Sequence, residues 1–408
     1  MSQSDSNAGD RKPSPKSGAG LDRRAFLRGG AVLAGGATAV AGKALAATPE
    51  NQPPNVPDWS KYLGPGVDYA PYGAPSEHES HVVRRRVEWL TATPESSVSF
   101  TPLHELHGIV TPNGLCFERH HGGVAEVDPA DHRLIIHGLV DKPLIFTMTE
   151  LKRFPPVSRF QFLECAANGG MEWRGAQLNS VQYAHGMVHC VQWTGVPLKT
   201  LLQEAGLKPK AKWLLAEGAD AAGMTRSIPL DKALDDCLVA YSQNGERLRP
   251  EQGYPLRLVV PGWEGNMWIK WLRRIEVGDM PWHTREETSK YTDLMADGTA
   301  RRFTWVMDAK SVITNPSPEM PVQAKGFNVI TGLAWSGRGR ITQVHVTLDG
   351  GRNWHQARLE EPILPKCLTR FYFDWHWNGE ATLLESRAVD ETGYVQPSIE
   401  DLRAARGR

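Results

Sequence analysis

Beyond about residue 300 the apolar side chains of this chain fall at every second position, and this change of period limits its possible folds more than any other feature. "RFYFDWHW" sets Phe371, Phe373, Trp375 and Trp377 against Tyr372, Asp374 and His376. "GRITQVHVTLDGGRNWHQARL" sets Val344, Val346 and Leu348 on one side before the turn residues Asp349, Gly350 and Gly351. Successive strand residues point to opposite faces, so such a run buries one face and wets the other. Runs of this kind parted by turn residues predict an all-β antiparallel sandwich of about a hundred residues. The aromatic stripe reads first as core, with an interface role as the alternative.

Upstream the pattern is mixed. "DHRLIIHGLVDKPLIFTMTELKRF" holds two apolar runs parted by Asp141, Lys142 and Pro143, which predicts strand, turn, strand and short helix. Leu198, Leu201, Leu202 and Ala205 share one helical face that stops at Gly206. "KWLLAEGAD" and "PLRLVVPG" read as buried strands ending in loops. Strands and helices that alternate without a repeating unit predict an α+β domain, with its site at the strand ends.

At 408 residues the chain has room for two or three domains, since these run on the order of 100 to 200 residues each. The first twenty residues are polar and predict disorder. Residues 21–47 carry Arg23 and Arg24, a short apolar stretch, then Ala44-Leu45-Ala46. This predicts a twin-arginine export signal cleaved near Ala46 or Ala47, hence a folded, cofactor-bearing protein delivered to the periplasm. A spanning helix needs about 20 apolar residues, and Gly29, Gly30, Gly35, Gly36 and Gly42 weaken the alternative of a retained anchor.

The expected organisation is leader 1–47, extended linker 48–79, α+β domain 80–285 and sandwich 286–408. Without the leader, 39 basic residues face 43 acidic ones, a balance that gives no footprint for nucleic acid or anionic lipid. No C-x-x-C-H occurs, so no haem is expected on this chain, and no phosphate-binding loop motif supports nucleotide chemistry. The five cysteines, Cys116, Cys165, Cys190, Cys237 and Cys367, form an odd and widely spaced set, so at least one is unpaired.

Cys165 is the informative one. It ends the apolar run "RFQFLE" and precedes Ala166, Ala167, Asn168, Gly169 and Gly170. A cysteine in such a run is commonly a small buried hydrophobe. At a loop of small residues it could instead ligate a soft metal or attack an electrophile. His120, His121, His185 and His189 are candidate bases for the second chemistry. The spacings in "HELH" and "HGMVHC" allow zinc, although neither is H-E-x-x-H.

"FERHH" (117–121), "ECAANGG" (164–170), "VQWTGVPLKTLLQEAG" (191–206), "EGAD" (217–220), "AYSQNGERL" (240–248), "GYPLRLVVPGWEGNMWIKWLRRI" (253–275) and "GYVQP" (393–397) together resemble the sulfite oxidase family of molybdenum enzymes. The likeness runs in order from about residue 95, and within the family it is to the sulfane-oxidising branch. It implies an α+β molybdopterin-binding domain followed by an immunoglobulin-like sandwich that makes a homodimer. It also implies one molybdenum-molybdopterin per chain, a sulfur-carrier protein as substrate and a dihaem cytochrome c as electron acceptor.

Carried onto this sequence, the resemblance makes Cys165 the thiolate ligand of molybdenum. Arg119 would face the substrate anion and His121 the pterin, with His120 standing where the family has Asn. Asp220 matches an acidic pterin contact, and Arg257 and Lys270 match basic contacts to its phosphate and ring. Trp268 and Ile269 would lend backbone groups. Tyr291 matches a tyrosine near the metal's oxo group, and Arg406 a substrate-pocket arginine from the second domain. Gln252 replaces a pterin-binding histidine. Gly169 and Gly170 replace two arginines that clamp free sulfite, which suits a substrate presented on an arm; Arg174 could restore some of that charge. The competing functional readings are a dehydrogenase of free sulfite, a cofactor-free binding or assembly module, and a reductase of the same superfamily.

Overall fold

The computed structural model describes residues 75–87, 91, 93–174, 180–302 and 305–406, with the backbone alone described at Pro94, Arg174 and Arg406. The leader and nearly all of the expected linker lie outside them. Among the described residues no helix is long and apolar enough to cross a membrane.

Two five-stranded sheets build the first region. One is antiparallel, in the order Glu246–Arg247, Leu238–Gln243, Val188–Pro197, Val157–Glu164, with Arg257–Val259 also paired to Leu238–Gln243. The other runs Leu144–Thr147, Arg133–Gly138, Leu272–Gly278, Trp213–Gly218, Thr225–Pro229, and its one parallel pairing joins Arg133–Gly138 to Leu272–Gly278. Short helices fill the gaps, as the α+β reading requires.

The strand, turn, strand and helix expected near 131–154 are Arg133–Gly138, Leu144–Thr147 and Met148–Leu151. Thr147 and Glu150 cap that helix reciprocally, satisfying backbone donors that its first turn leaves open. The helix Leu198–Ala205 buries Leu198, Leu201, Leu202 and Ala205 completely. Each leucine so removed from water stabilises by about 1.5–3 kcal/mol. They join Leu134, Ile136, Trp193, Val259 and Trp268 in the main core.

The second region is the sandwich that the period of two predicts. A four-stranded sheet (Lys310–Asn315, Gly326–Trp335, Thr369–Trp377, Arg358–Leu359) faces a three-stranded one (His355–Gln356, Ile341–Thr347, Glu385–Asp390), and every pairing is antiparallel. Phe371 and Trp375 of the aromatic stripe are core, packed with Val344, Val346 and Ile330, while Phe373 and Trp377 sit half-buried against them. The region is not wholly β, however. Ile399–Arg406 is a helix started by a reciprocal Ser398 and Asp401 cap, which the S-x-x-D spacing encodes.

A further cluster belongs to both regions. Leu103, Leu106, Phe162, Val188 and Cys190 pack with Val312, Leu333, Trp335 and Cys367. All five cysteines are free thiols, and only Cys165 among them is not fully buried.

Candidate active site

Eleven of the twelve residues singled out by the resemblance line one cavity, which encloses about 720 Å³ counting its open mouth. They are Arg119, His120, His121, Cys165, Asp220, Gln252, Arg257, Trp268, Ile269, Lys270 and Tyr291. The twelfth, Arg406, ends the last helix and its side chain lies outside the described residues.

Strand ends deliver most of these groups. Cys165 follows Val157–Glu164, Asp220 follows Trp213–Gly218, Arg257 opens Arg257–Val259 and Lys270 precedes Leu272–Gly278. At a strand end the backbone leaves its ladder and a side chain is free to face a ligand. The Cys165 amide is still held, donating to Met187 O at 3.0 Å, and its carbonyl accepts from Asn168 N at 2.9 Å. Burial pushes the thiol up from its ordinary value, with the nearby Arg119 guanidinium opposing. Gly169 closes the turn with φ +78°, a left-handed backbone that glycine adopts without strain. Its identity therefore has a conformational reason as well as the loss of charge.

The other end is cationic. Arg257 is buried, its terminal nitrogen donates to Gln252 O at 3.1 Å and Oε1 at 3.0 Å, and its Nε has no partner among the described residues. The guanidinium lies 5.1 Å from the Trp193 ring centre and 5.9 Å from that of Trp268. Burial lowers its basicity, yet a guanidinium keeps its proton.

Lys270 donates to Arg119 O and Glu251 O, each at 3.1 Å, and to His120 Nδ1 at 2.7 Å. Burial, then the Arg257 charge, holds its ammonium well below the usual lysine range. Neither cation forms an ion pair within the described residues. Charges withdrawn from water are normally paired, so the buried Arg257 and the half-buried Lys270, both left on neutral acceptors, mark the seat of an anion.

Several expected contacts differ in detail. Gln252, where the family has a histidine, donates to Phe117 O at 2.9 Å and accepts from Arg257, so it braces a cation. His120 is buried between Glu118 Oε2, 2.8 Å from its Nε2, and Lys270; burial lowers its pKa, opposed by the Glu118 hydrogen bond. Burial likewise lowers that of His121. Asp220 closes its own loop by accepting from Met224 N at 3.1 Å. The Trp268 N–H and the Ile269 carbonyl are already engaged, with Gly265 O and Leu258 N.

Sequence reasoning missed Glu118, Glu251, Arg226 and Glu264. Glu118 was discoverable, because two residues along an extended segment places it on the His120 side. The Arg84 guanidinium that ion-pairs with both Glu118 and Glu251 was not. Arg226 lies fully buried 4.4 Å over the Tyr291 ring, and both its terminal nitrogens lack partners among the described residues. Burial raises the Tyr291 hydroxyl, keeping it a proton donor. His189 is a core residue, neutral through burial and packed 4.9 Å from Phe117. No group of three His, Cys, Asp or Glu suited to a metal cage occurs among the described residues, which leaves zinc without a site there.

The residues present fit a molybdopterin: a lone cysteine sulfur at one end for a soft metal, and at the other two cations without an ion pair among the described residues for a phosphate. Comparison with known proteins agrees. Residues 121–286 match the family "Oxidoreductase molybdopterin binding domain", and residues 301–408 match "Mo-co oxidoreductase dimerisation domain". The chain belongs to the sulfite oxidase family of molybdenum oxidoreductases.

Within it, the chain is similar to the sulfane dehydrogenase SoxCD from Paracoccus pantotrophus. They share 59% identity and a TM-score of 0.84, over 87% of this chain and 91% of that one. This agrees with the sulfane-oxidising branch implied by the sequence. It is also 32% identical to a nitrate reductase of Solanum lycopersicum over 72% of this chain and 30% identical to one of Hordeum vulgare over 84%. It spans only 37% and 43% of those two proteins.

Proposed function

We propose that this chain is the molybdenum subunit of an exported sulfane dehydrogenase. Its substrate is sulfur carried on a cysteine of a carrier protein, and its electrons pass to a partner dihaem cytochrome c in bacterial thiosulfate oxidation. The carrying observation is the one cavity that joins the Cys165 sulfur to the buried Arg257 and the half-buried Lys270, neither in an ion pair among the described residues. The Arg23-Arg24 leader supports periplasmic delivery by the twin-arginine route, and the matched dimerisation domain supports a homodimer through 301–408.

In this reading Cys165 holds the metal, while Arg257 and Lys270 hold the pterin's phosphate, with Asp220 and His121 at the ring and Trp268 and Ile269 beside it. When bound, the cofactor supplies two-electron oxygen-atom transfer to sulfur. The oxygen comes from water, and two electrons and two protons leave for each oxygen added. Arg119 orients the anionic end of the substrate, and Arg406 would add charge from the last helix. Tyr291 stays protonated and offers a hydrogen bond into the cavity, its ring backed by Arg226. His120 links Glu118 to Lys270 and fixes the ammonium.

Gly169 and Gly170 favour a carried substrate, since they leave an uncharged turn where a free dianion would ask for arginines. The second reading, oxidation of free sulfite, rests on Arg119, which lines the cavity under either. Steady-state assays with a dihaem cytochrome c acceptor separate the two. kcat/KM for carrier-bound sulfur should exceed that for free sulfite by at least about 100-fold, since two missing charge-assisted hydrogen bonds are together worth about 3 kcal/mol or more. Faster turnover of free sulfite would reverse the assignment.

A further inference from the structure

The strand that delivers Cys165 is gripped by the other region of the chain. Glu164, the residue before the cysteine, is 0% exposed, and three donors meet its carboxylate. Asn168 Nδ2 lies 3.0 Å and Lys310 Nζ 2.8 Å from Oε1, and Trp335 Nε1 lies 2.7 Å from Oε2. Lys310 and Trp335 stand directly opposite each other on the paired strands Lys310–Asn315 and Gly326–Trp335 of the sandwich. Cross-strand partners share a face, so the two donors form one two-pronged clamp.

The grip extends through the turn. Lys310 Nζ also donates to Asn168 O at 3.3 Å, and Asn168 Oδ1 accepts from Met187 N at 3.0 Å. The Gly265 backbone also comes so close that a Cβ there would sit 2.7 Å from Glu164 O. A buried carboxylate persists only where donors satisfy it, so these contacts are tightly specified. Adjacent Cα atoms are about 3.8 Å apart, so a pinned residue 164 leaves the Cys165 sulfur only its own rotamers.

We propose that Lys310 and Trp335 are positioning residues for Cys165, acting through Glu164, so that the sandwich sets where the sulfur sits as well as supplying a dimer contact. This rests on the reading of Cys165 as the metal ligand. Nothing in the assigned role of a dimerisation domain calls for such a clamp, and a mere staple between regions would not need to end on the residue next to the ligand.

The test uses full-length protein carrying its cofactor, with Lys310→Met, Trp335→Phe and the conservative Lys310→Arg. Amide hydrogen exchange should quicken about tenfold over 165–170 in the first two and stay unchanged in the distant strand Arg133–Gly138. The molybdenum paramagnetic resonance signal should shift. kcat should fall about tenfold with KM within about twofold, and Lys310→Arg should restore both. Unchanged exchange over 165–170, or a rise spread evenly over the chain, overturns the proposal. So does looser exchange with an unaltered metal signal and kcat. Wild-type protein without molybdenum would sink the functional reading instead, and the exchange arm would still decide whether the clamp exists.

Discussion

The two ends of the cavity are built by opposite means. At the sulfur end a single side chain sits on a turn of small residues and borrows its rigidity from another region, through Glu164, Lys310 and Trp335. At the cationic end, Arg257 is held by burial and Lys270 by three hydrogen bonds, and both rest on neutral acceptors within their own region. The contrast teaches that one end is arranged to place an atom and the other to hold a charge that the chain itself does not supply.

The sharpest way to break this contrast is to remove the charges. Arg257→Met with Lys270→Met should cut pterin content at least about tenfold, because each lost charge-assisted bond is worth about 1.5–3 kcal/mol. The same change should leave the cofactor-free chain as stable as before or more so, since a buried cation without an ion pair, as Arg257 is, costs stability. Pterin fluorescence after oxidative release, with urea unfolding of cofactor-free protein, checks both. Loss of stability in the cofactor-free variant would mean that the cations hold up the fold.

The next effect concerns Glu264, near the sulfur end. Burial raises its carboxyl from 4.5 to about 7, against the nearby Arg226 charge. The folded chain therefore binds this proton more tightly than the unfolded chain. The contribution is full below about 4.5 and is lost as pH rises through about 7. Glu264→Gln should stabilise by on the order of 3 kcal/mol relative to wild type at pH 8 and by nearly nothing below pH 4.5. Parallel urea curves across that range would contradict it.

Smaller effects come from the backbone around Cys165. Gly265→Ala places a Cβ 2.7 Å from Glu164 O, so it should cost about 1–3 kcal/mol and lower kcat more than it raises KM. Gly169→Ala, at φ +78°, should cost about 1 kcal/mol. Gly170→Ala, with nothing within 4 Å of its Cβ position, should cost close to none. Equal effects at 169 and 170 would remove the conformational explanation for the first.

Much of this was legible in one sequence. A period of two revealed the sandwich because its strands bury one face. Cys165 stood out because a strand end of small residues is an odd place for a mere hydrophobe. Residue chemistry alone left metal, nucleophile and core open for it, and the family likeness chose among them and brought in Arg257, Lys270 and Asp220.

What stayed hidden was long-range. The contacts of Glu164 with Lys310 and Trp335 cross 146 and 171 residues, and those of Arg84 with Glu118 and Glu251 depend on how loops meet. No local pattern encodes such pairs. Arg226 looks like an ordinary strand residue until folding sets it over the Tyr291 ring.

The central claim is that the Cys165 sulfur holds molybdenum, and elemental analysis of the intact protein and of Cys165→Ser tests it most directly. The account predicts about one molybdenum per wild-type chain, with the metal and sulfur oxidation both lost in the serine variant. Active wild-type protein without molybdenum, or a serine variant that keeps both metal and turnover, would contradict it.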